Sequence, residues 1–469
     1  MNRRAALHYG LGCIAQRSLS LLLLPLTSTV LGISAFGQLG LLVALANVGS
    51  IVAGLGLAET AQRFAAMPQR LAQLATLTRY YGGLWLLLSP CTLLLAPWLP
   101  GQLQGLWLWL LWLNLGCGAQ LGVRLMLLRI ADRSGRYAKV MLLWSGLQGS
   151  LTMSALLLGF GVGGVMFAGA AATALALGYS WRGESLPPVD PAQQGVRSAP
   201  LGADPQPRHR RFAHIMPLLR YGVPMALCTA IGVVFVGYER PWLAQTLGVA
   251  ALGQYALMAQ LAFLPIYLIE PFNLWWFPRR MALAQQRHHH ELARWSDIGV
   301  FLLLLAVLLV ALLLPPVVQL LFAPDYWPAL QWLPGLLAIA LLRQLASVLN
   351  LGVYFRDSGQ LPLRLNAAIA LPALLLVPLA VAGGGVLWLL WLMLGLMAVR
   401  AGLFYWRSQQ LYCLPYQRQQ LLLALTVGLA ALVVDQPLGY ASAALLQLGL
   451  LWRRYQQRSA ATMPLGQPS

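Results

Sequence analysis

Leu31–Leu41 reads LGISAFGQLGL, and Leu247–Leu257 reads LGVAALGQYAL. Six of the eleven positions are identical, and the offset is 216 residues in a chain of 469. Ile/Val, Ser/Ala and Gly/Ala pairs account for three more positions. A weakly polar phrase written twice, nearly half a chain apart, points to an internal duplication. What was duplicated depends on what surrounds each copy.

Both copies lie in apolar surroundings. The chain is 59% hydrophobic and 9% charged, with a mean hydropathy of +0.69. A soluble chain carries about 25% charged residues. Long apolar runs recur from end to end, and short alternating segments are missing. The expected fold class is therefore an all-α polytopic membrane protein rather than a β-barrel. The basic start and apolar stretch at the N-terminus resemble a signal peptide. The run is long and lacks a small-residue cleavage site, so it reads as a first helix.

The hydropathy predicts about fourteen helices, near residues 7–31, 39–60, 80–97, 106–128, 140–158, 164–180, 217–245, 252–278, 298–321, 331–355, 365–381, 386–406, 419–434 and 438–452. Each of the first twelve is near the length that crosses about 30 Å of hydrocarbon. With a cytoplasmic N-terminus, 26 of the 31 basic residues fall on the cytoplasmic side. None falls outside, and five lie within spans: Arg17, Arg124, Arg240, Arg343 and Arg400. The positive-inside rule thus accounts for the net charge of +19 without nucleic acid, and it places both termini in the cytoplasm. The five cysteines are scattered and imply neither a disulfide framework nor a metal site.

On this map the two phrases become the outer turns of helices 1–2 and 7–8. Pro25 and Pro241 match at the same offset. Six helices separate the copies, so they share one orientation. The duplication is then a parallel repeat of two six-helix lobes about a pseudo-two-fold axis along the membrane normal. The expected domains are an N-terminal lobe over 1–180, a Pro-rich cytoplasmic linker over 181–216, a C-terminal lobe over 217–406, and two extra helices with a tail over 407–469. Two such lobes suggest alternating access to a central site.

The first hairpin carries Leu31-Gly32, Phe36-Gly37, then Gly56-Leu57-Ala58-Glu59-Thr60-Ala61-Gln62-Arg63-Phe64. The second lobe opens Leu219-Arg220-Tyr221-Gly222-Val223-Pro224, followed by Glu239-Arg240 and Gly253-Gln254-Tyr255. In this order and spacing the chain resembles the multidrug/oligosaccharidyl-lipid/polysaccharide (MOP) exporter superfamily. Within it, the chain resembles the polysaccharide-transporter branch that includes O-antigen flippases. Glu239 stands where family members more often carry Asp, and Leu39 where a tyrosine is common. The resemblance covers the first twelve helices. It implies a twelve-helix two-lobe core, a central cationic cavity and transfer of lipid-linked saccharides across a bacterial inner membrane.

The intraspan charges are the candidate functional groups. An Arg at the bilayer centre costs about 2.5–3.5 kcal/mol even on lenient scales. Arg17 and Arg343 fall about 15 and 18 Å into their helices, at 1.5 Å per residue. They are expected to face a water-filled cavity and bind an anion, since a guanidinium matches phosphate with two hydrogen bonds. A structural arginine capped by carbonyls is the other reading. Arg400 is placed with them, deeper toward the cytoplasm. Asn47 and Asn114 are candidates to meet sugar hydroxyls or to bond helices together.

Glu239 with Arg240, and Glu59 with Arg63 at i,i+4, are each a gate or a brace. Glu270 is the isolated carboxylate, a candidate for a coupling proton or Na⁺, or a partner for an arginine. Gly159–Gly164 fits G-x-G-x-x-G but follows a membrane helix, so no dinucleotide is expected. The triplet His288-His289-His290 lacks the framework of a metal site. Residues 279–294 form a basic amphipathic stretch suited to anionic lipid heads.

The expected function is flipping of a polyprenyl-pyrophosphate-linked oligosaccharide for surface polysaccharide or lipopolysaccharide assembly. The expected partners are that lipid-linked saccharide, membrane lipids, glycosyltransferases and a polysaccharide polymerase. No cofactor is expected beyond a coupling ion. A drug or metabolite antiporter of the same superfamily is the alternative, although its cationic substrates call for an excess of acids. A polymerase or ligase would need a sizeable external loop, which the map lacks.

Overall fold

The computed structural model describes residues 19, 21–63, 68–91, 105–131, 133–182, 222–223, 226–227, 230–232, 234–235, 237–355 and 360–461. Among them every regular element is a helix. Eight segments are long and apolar enough to cross a membrane. Large apolar side chains such as Leu320, Leu375, Leu438 and Leu445 are exposed. A water-soluble protein would bury them, whereas a bilayer solvates them. The chain divides into two compact units, Met1–Gly237 and Tyr238–Ser469.

The first unit contains α1 (Leu24–Gly54), α2 (Leu57–Arg63), α3 (Pro68–Leu87), α4 (Gly105–Ile130), α5 (Ser134–Leu157) and α6 (Gly161–Trp181). α6 packs against both α4 and α5. Its sequence, GVGGVMFAGAAATALALGYSW, explains why. Gly and Ala let backbones approach closely where apolar side chains gain nothing over lipid. Ala168, Ala170, Ala172 and Ala176 are all buried. The G-x-G-x-x-G match forms the turn into α6, with Gly159 and Gly161 at positive φ. α3 and α4 are clasped by two tryptophans. Trp85 Nε1 donates to the Trp112 carbonyl at 2.8 Å, and Trp112 Nε1 donates to the Trp85 carbonyl at 2.9 Å. Their rings stack at 4.0 Å.

The predicted helix over 39–60 is interrupted. α1 ends at Gly54, and Leu55 and Gly56 adopt positive φ of 45° and 64° before α2 begins. A Cβ on Gly56 would strike the Gly222 carbonyl. Gly56→Ala therefore combines left-handed strain of about 1–2 kcal/mol with overpacking of about 1–3. It should lower the thermal unfolding midpoint in detergent by several degrees. An unchanged midpoint would count against this close approach. α3 starts at Pro68, well before the predicted residue 80, because Arg70 and Arg79 extend a helix beyond its apolar part without breaking it.

The second unit contains α7 (Glu239–Leu261), α8 (Leu264–Leu268), α9 (Glu270–Gln285), α10 (His289–Leu321), a 3-10 segment (Pro324–Trp332), α11 (Leu333–Val348), α12 (Leu351–Phe355), α13 (Gln360–Leu411), α14 (Arg418–Val434) and α15 (Pro437–Ala461). α7 is two helices meeting at Gly248, whose φ/ψ is 86°/165°. Tyr255 Oη donates to Glu239 Oε1 at 3.3 Å across this break. Sixteen residues of straight helix would hold them about 24 Å apart. The chain therefore doubles back at Gly248.

α1 carries the same break at Gly32, with φ/ψ of 71°/171°. These are the glycines of the duplicated phrase, so the two copies of the sequence carry the same backbone turn. α13 breaks at Gly384 and Gly385. There Arg400 Nε donates to Asn366 Oδ1 at 2.9 Å, which again requires a reversal within 52 residues.

The predicted helix over 252–278 is also broken, at Ala262–Phe263 and again at Ile269. Pro265 and Pro271 follow these breaks. Proline lacks the N–H that would continue the ladder. α10 is the most buried of the long apolar segments and packs against α15, α11 and α14. Arg454 of α15 meets Asp297 of α10 at 2.6 Å, with side chains 10% and 0% exposed. Gln447 Nε2 donates to the Ala424 carbonyl at 3.0 Å, tying α15 to α14.

Candidate functional site

Each unit holds a distinct polar feature. In the first, α1 and α4 border a cavity of about 530 Å³ lined by Asn47, Ser50, Asn114, Gly118 and Trp144 among others. The two asparagines singled out in the sequence thus share one cavity. Asn114 is oriented by a chain of hydrogen bonds. Thr173 Oγ1 lies 2.9 Å from Asn114 Oδ1 and 2.7 Å from the Gly169 carbonyl, and Trp144 Nε1 donates to Thr173 at 3.2 Å. The lining is mostly small and apolar, with Asn47, Ser50 and Asn114 as its polar groups, an indole in its wall and no charged residue. Hydroxyl groups fit such a surface better than ions do.

In the second unit the polar feature is charged. Glu239 and Arg240, the first residues of α7, are buried at 5% and 6% exposure. Arg343 of α11 lies in Coulombic reach of Glu239, Arg400 and Tyr267. Its guanidinium sits 5.2 Å from the Phe263 ring. Arg400 is held by Asn366 and lies 5.1 Å from the Phe404 ring. Glu239 receives Tyr255 through one oxygen, while Oε2 has no hydrogen-bond partner among the described residues.

Arg343 thus feels both an attracting carboxylate and a repelling guanidinium, and Arg240 follows Glu239 in the chain. Arg343 and Arg400 repel each other, and their described partners include a neutral amide and two aromatic faces. Stacking covers the face of the Arg343 guanidinium, which leaves an anion to approach in its plane.

Other candidates fall elsewhere. Arg17 lies outside the described residues. Glu59 and Arg63 sit on α2, and their side chains lie outside the described part. Glu270 opens α9, where a carboxylate complements the helix N-terminus. Arg124 reaches the Ser180 carbonyl at the end of α6 through Nε and Nη2, at 3.3 and 3.2 Å. Capping a helix end gives it a bracing role.

Sequence reasoning missed Tyr255, Asn366 and Thr173. Tyr255 stood in view as part of the Gly253-Gln254-Tyr255 turn. The signal was its position beyond the break, seven residues after Gly248 where Glu239 lies nine before.

No protein-family model matches the chain, and no curated protein matches it. Solved structures do. A MATE in complex with MaL6 aligns at a TM-score of 0.61 with 16% identity, over 87% of this chain and 94% of the other. A MOP superfamily transporter from Pyrococcus furiosus aligns at 0.57 with 14% identity, over 87% and 95%. An outward-facing multidrug resistance MATE family transporter of the MOP superfamily aligns at 0.57 with 15% identity, over the same shares. The chain has the fold of the MOP superfamily transporters.

Proposed function

We propose that this chain is a transporter that carries an anionic, lipid-linked saccharide across a bacterial inner membrane by alternating access, with both termini cytoplasmic. The observation that carries the reading is the excess of cations in the Glu239–Arg240–Arg343–Arg400 cluster. A bilayer-spanning bundle keeps such groups only at a cost of kilocalories each, which an anionic ligand offsets. A polyprenyl pyrophosphate supplies that anion. The short sequence motifs shared with the polysaccharide-transporter branch support the same substrate class.

A drug antiporter is the second reading, favoured by the multidrug transporters among the structures with this fold. Cationic drugs suit acidic sites, and the described cluster has the opposite sign. The Pyrococcus furiosus transporter is itself described by a reversed polarity of its binding pocket that suggests a different function.

The test uses purified protein in liposomes, with a fluorescent polyprenyl-pyrophosphate saccharide in one set and a cationic dye in the other. The saccharide lipid should become accessible to a reductant on the opposite leaflet, and dye efflux should stay at the protein-free level. Dye efflux without saccharide movement would replace this reading with the antiporter.

A further inference from the structure

The basic stretch 279–294 is not used by the transport reading, and the structure gives it a definite shape. α9 carries Arg279 and Arg280 past its midpoint, and they point to different surroundings. Arg280 turns inward. Its Nη1 donates to the Ser347 carbonyl and to Asn350 Oδ1, both at 3.2 Å, which pins α9 to the end of α11. Arg279 is exposed, and its guanidinium lies 4.5 Å from the Trp275 ring centroid.

Trp275 meets Trp295 of α10 edge-to-face at 4.6 Å, and Arg294 lies 5.6 Å from the Trp295 ring. The turn between α9 and α10 is fixed from its other side. Tyr412 donates to the Ala284 carbonyl at 3.0 Å and stacks on His289 at 4.9 Å. The exposed Arg287, at positive φ, closes this turn. The only acid on the stretch is Glu291.

Two independent features mark this corner as lying at the level of lipid headgroups. The first is charge: four arginines against one glutamate within sixteen residues. The second is exposed indole. Trp275 is 36% exposed, and Trp406, 51% exposed, carries Arg407 at 4.9 Å from its ring. Tyr412 joins the end of that α13 segment to the same turn. Tryptophan concentrates at the membrane interface, and arginines there meet phosphates. A guanidinium stacked on an indole is held in place by its face while its edge donors stay available.

We propose that the α9–α10 corner, through Arg279 stacked on Trp275 and the exposed Arg287 of the turn, binds the phosphate of an anionic phospholipid headgroup. The preformed turn lets the site bind without reordering.

The experiment measures lipids retained by the full-length protein in native mass spectrometry, from equimolar phosphatidylglycerol and phosphatidylcholine. The wild type should keep the anionic lipid in preference. Arg279→Gln/Arg287→Gln should lower that preference at least about five-fold, since each basic residue near the surface contributes about that factor. Arg418→Gln/Arg453→Gln removes the same charge from exposed positions of the same unit and should leave the preference intact. Equal losses in the two double variants would overturn the proposal in favour of a diffuse basic surface. Abolition of the wild-type preference by excess inorganic phosphate would also overturn it, because the site would then take free phosphate rather than a lipid. Both pairs are solvent-exposed, and unchanged thermal unfolding in phosphatidylcholine alone checks that each variant is folded.

Discussion

Arg343→Ala should reduce saccharide translocation by about 10- to 100-fold per inserted molecule, the factor expected for losing a charge-assisted hydrogen bond of about 1.5–3 kcal/mol. The residue lies about 15 Å along α11 by the helical rise. Glu239 draws it and Arg400 repels it. If its role is to meet a pyrophosphate, Arg343→Lys should keep part of the activity, because a point charge replaces a planar fork.

A bracing arginine predicts another pattern, in which membrane abundance falls and the activity of each remaining molecule does not. The readout is saccharide exported per molecule in a strain without its own transporter, with abundance measured on the same membranes. Full export by Arg343→Ala at matched abundance would remove the anion-site assignment.

Asp297→Ala should be the most damaging single change to the stability of the second unit. It leaves Arg454, 10% exposed, without the carboxylate it meets at 2.6 Å. Removing one member of a buried pair costs about 3–5 kcal/mol. For a unit of this size that corresponds to a fall of about 6–20 °C in the unfolding midpoint. Replacing both partners, as Asp297→Leu/Arg454→Met, should recover most of the loss, since well-packed apolar groups substitute for such pairs at little net cost. Thermal unfolding of the three variants and the wild type gives the coupling directly. If the single and double variants melt together, the pair does not hold α15 to α10.

The long apolar helices and the repeated glycine turn were legible because both are local signals. Apolar length marks α4, α5, α6 and α10. Leu31-Gly32 and Leu247-Gly248 mark the turns at which α1 and α7 break. The breaks at Leu55 and around Pro265 were less visible, since apolar character runs through them and hydropathy does not register backbone direction.

The residues that gather around Arg343 were recognised one by one, as intraspan charges at 239, 240, 343 and 400. Their convergence was not legible, because it depends on how α7, α11 and α13 pack across more than a hundred residues. The Asp297–Arg454 pair was missed for a different reason. Both residues lie just beyond the predicted spans, 298–321 and 438–452. There a charge reads as a loop residue that sets orientation rather than as half of a buried bond.

The break at Gly384 and Gly385 also bears on biogenesis. Between Arg364 and Arg400 the chain has no charged residue, so no internal charge can instruct the insertion machinery where to stop. A continuous helix of 52 residues would run to about 78 Å, far more than a bilayer accommodates by tilting. Arginines at both ends favour the same side of the membrane, so the segment has to enter as a pair of helices folded against each other. The two glycines supply the fold point, and the Asn366–Arg400 hydrogen bond closes the pair once it is in place. The same bond that braces the finished bundle thus also fixes the register of the two halves of α13.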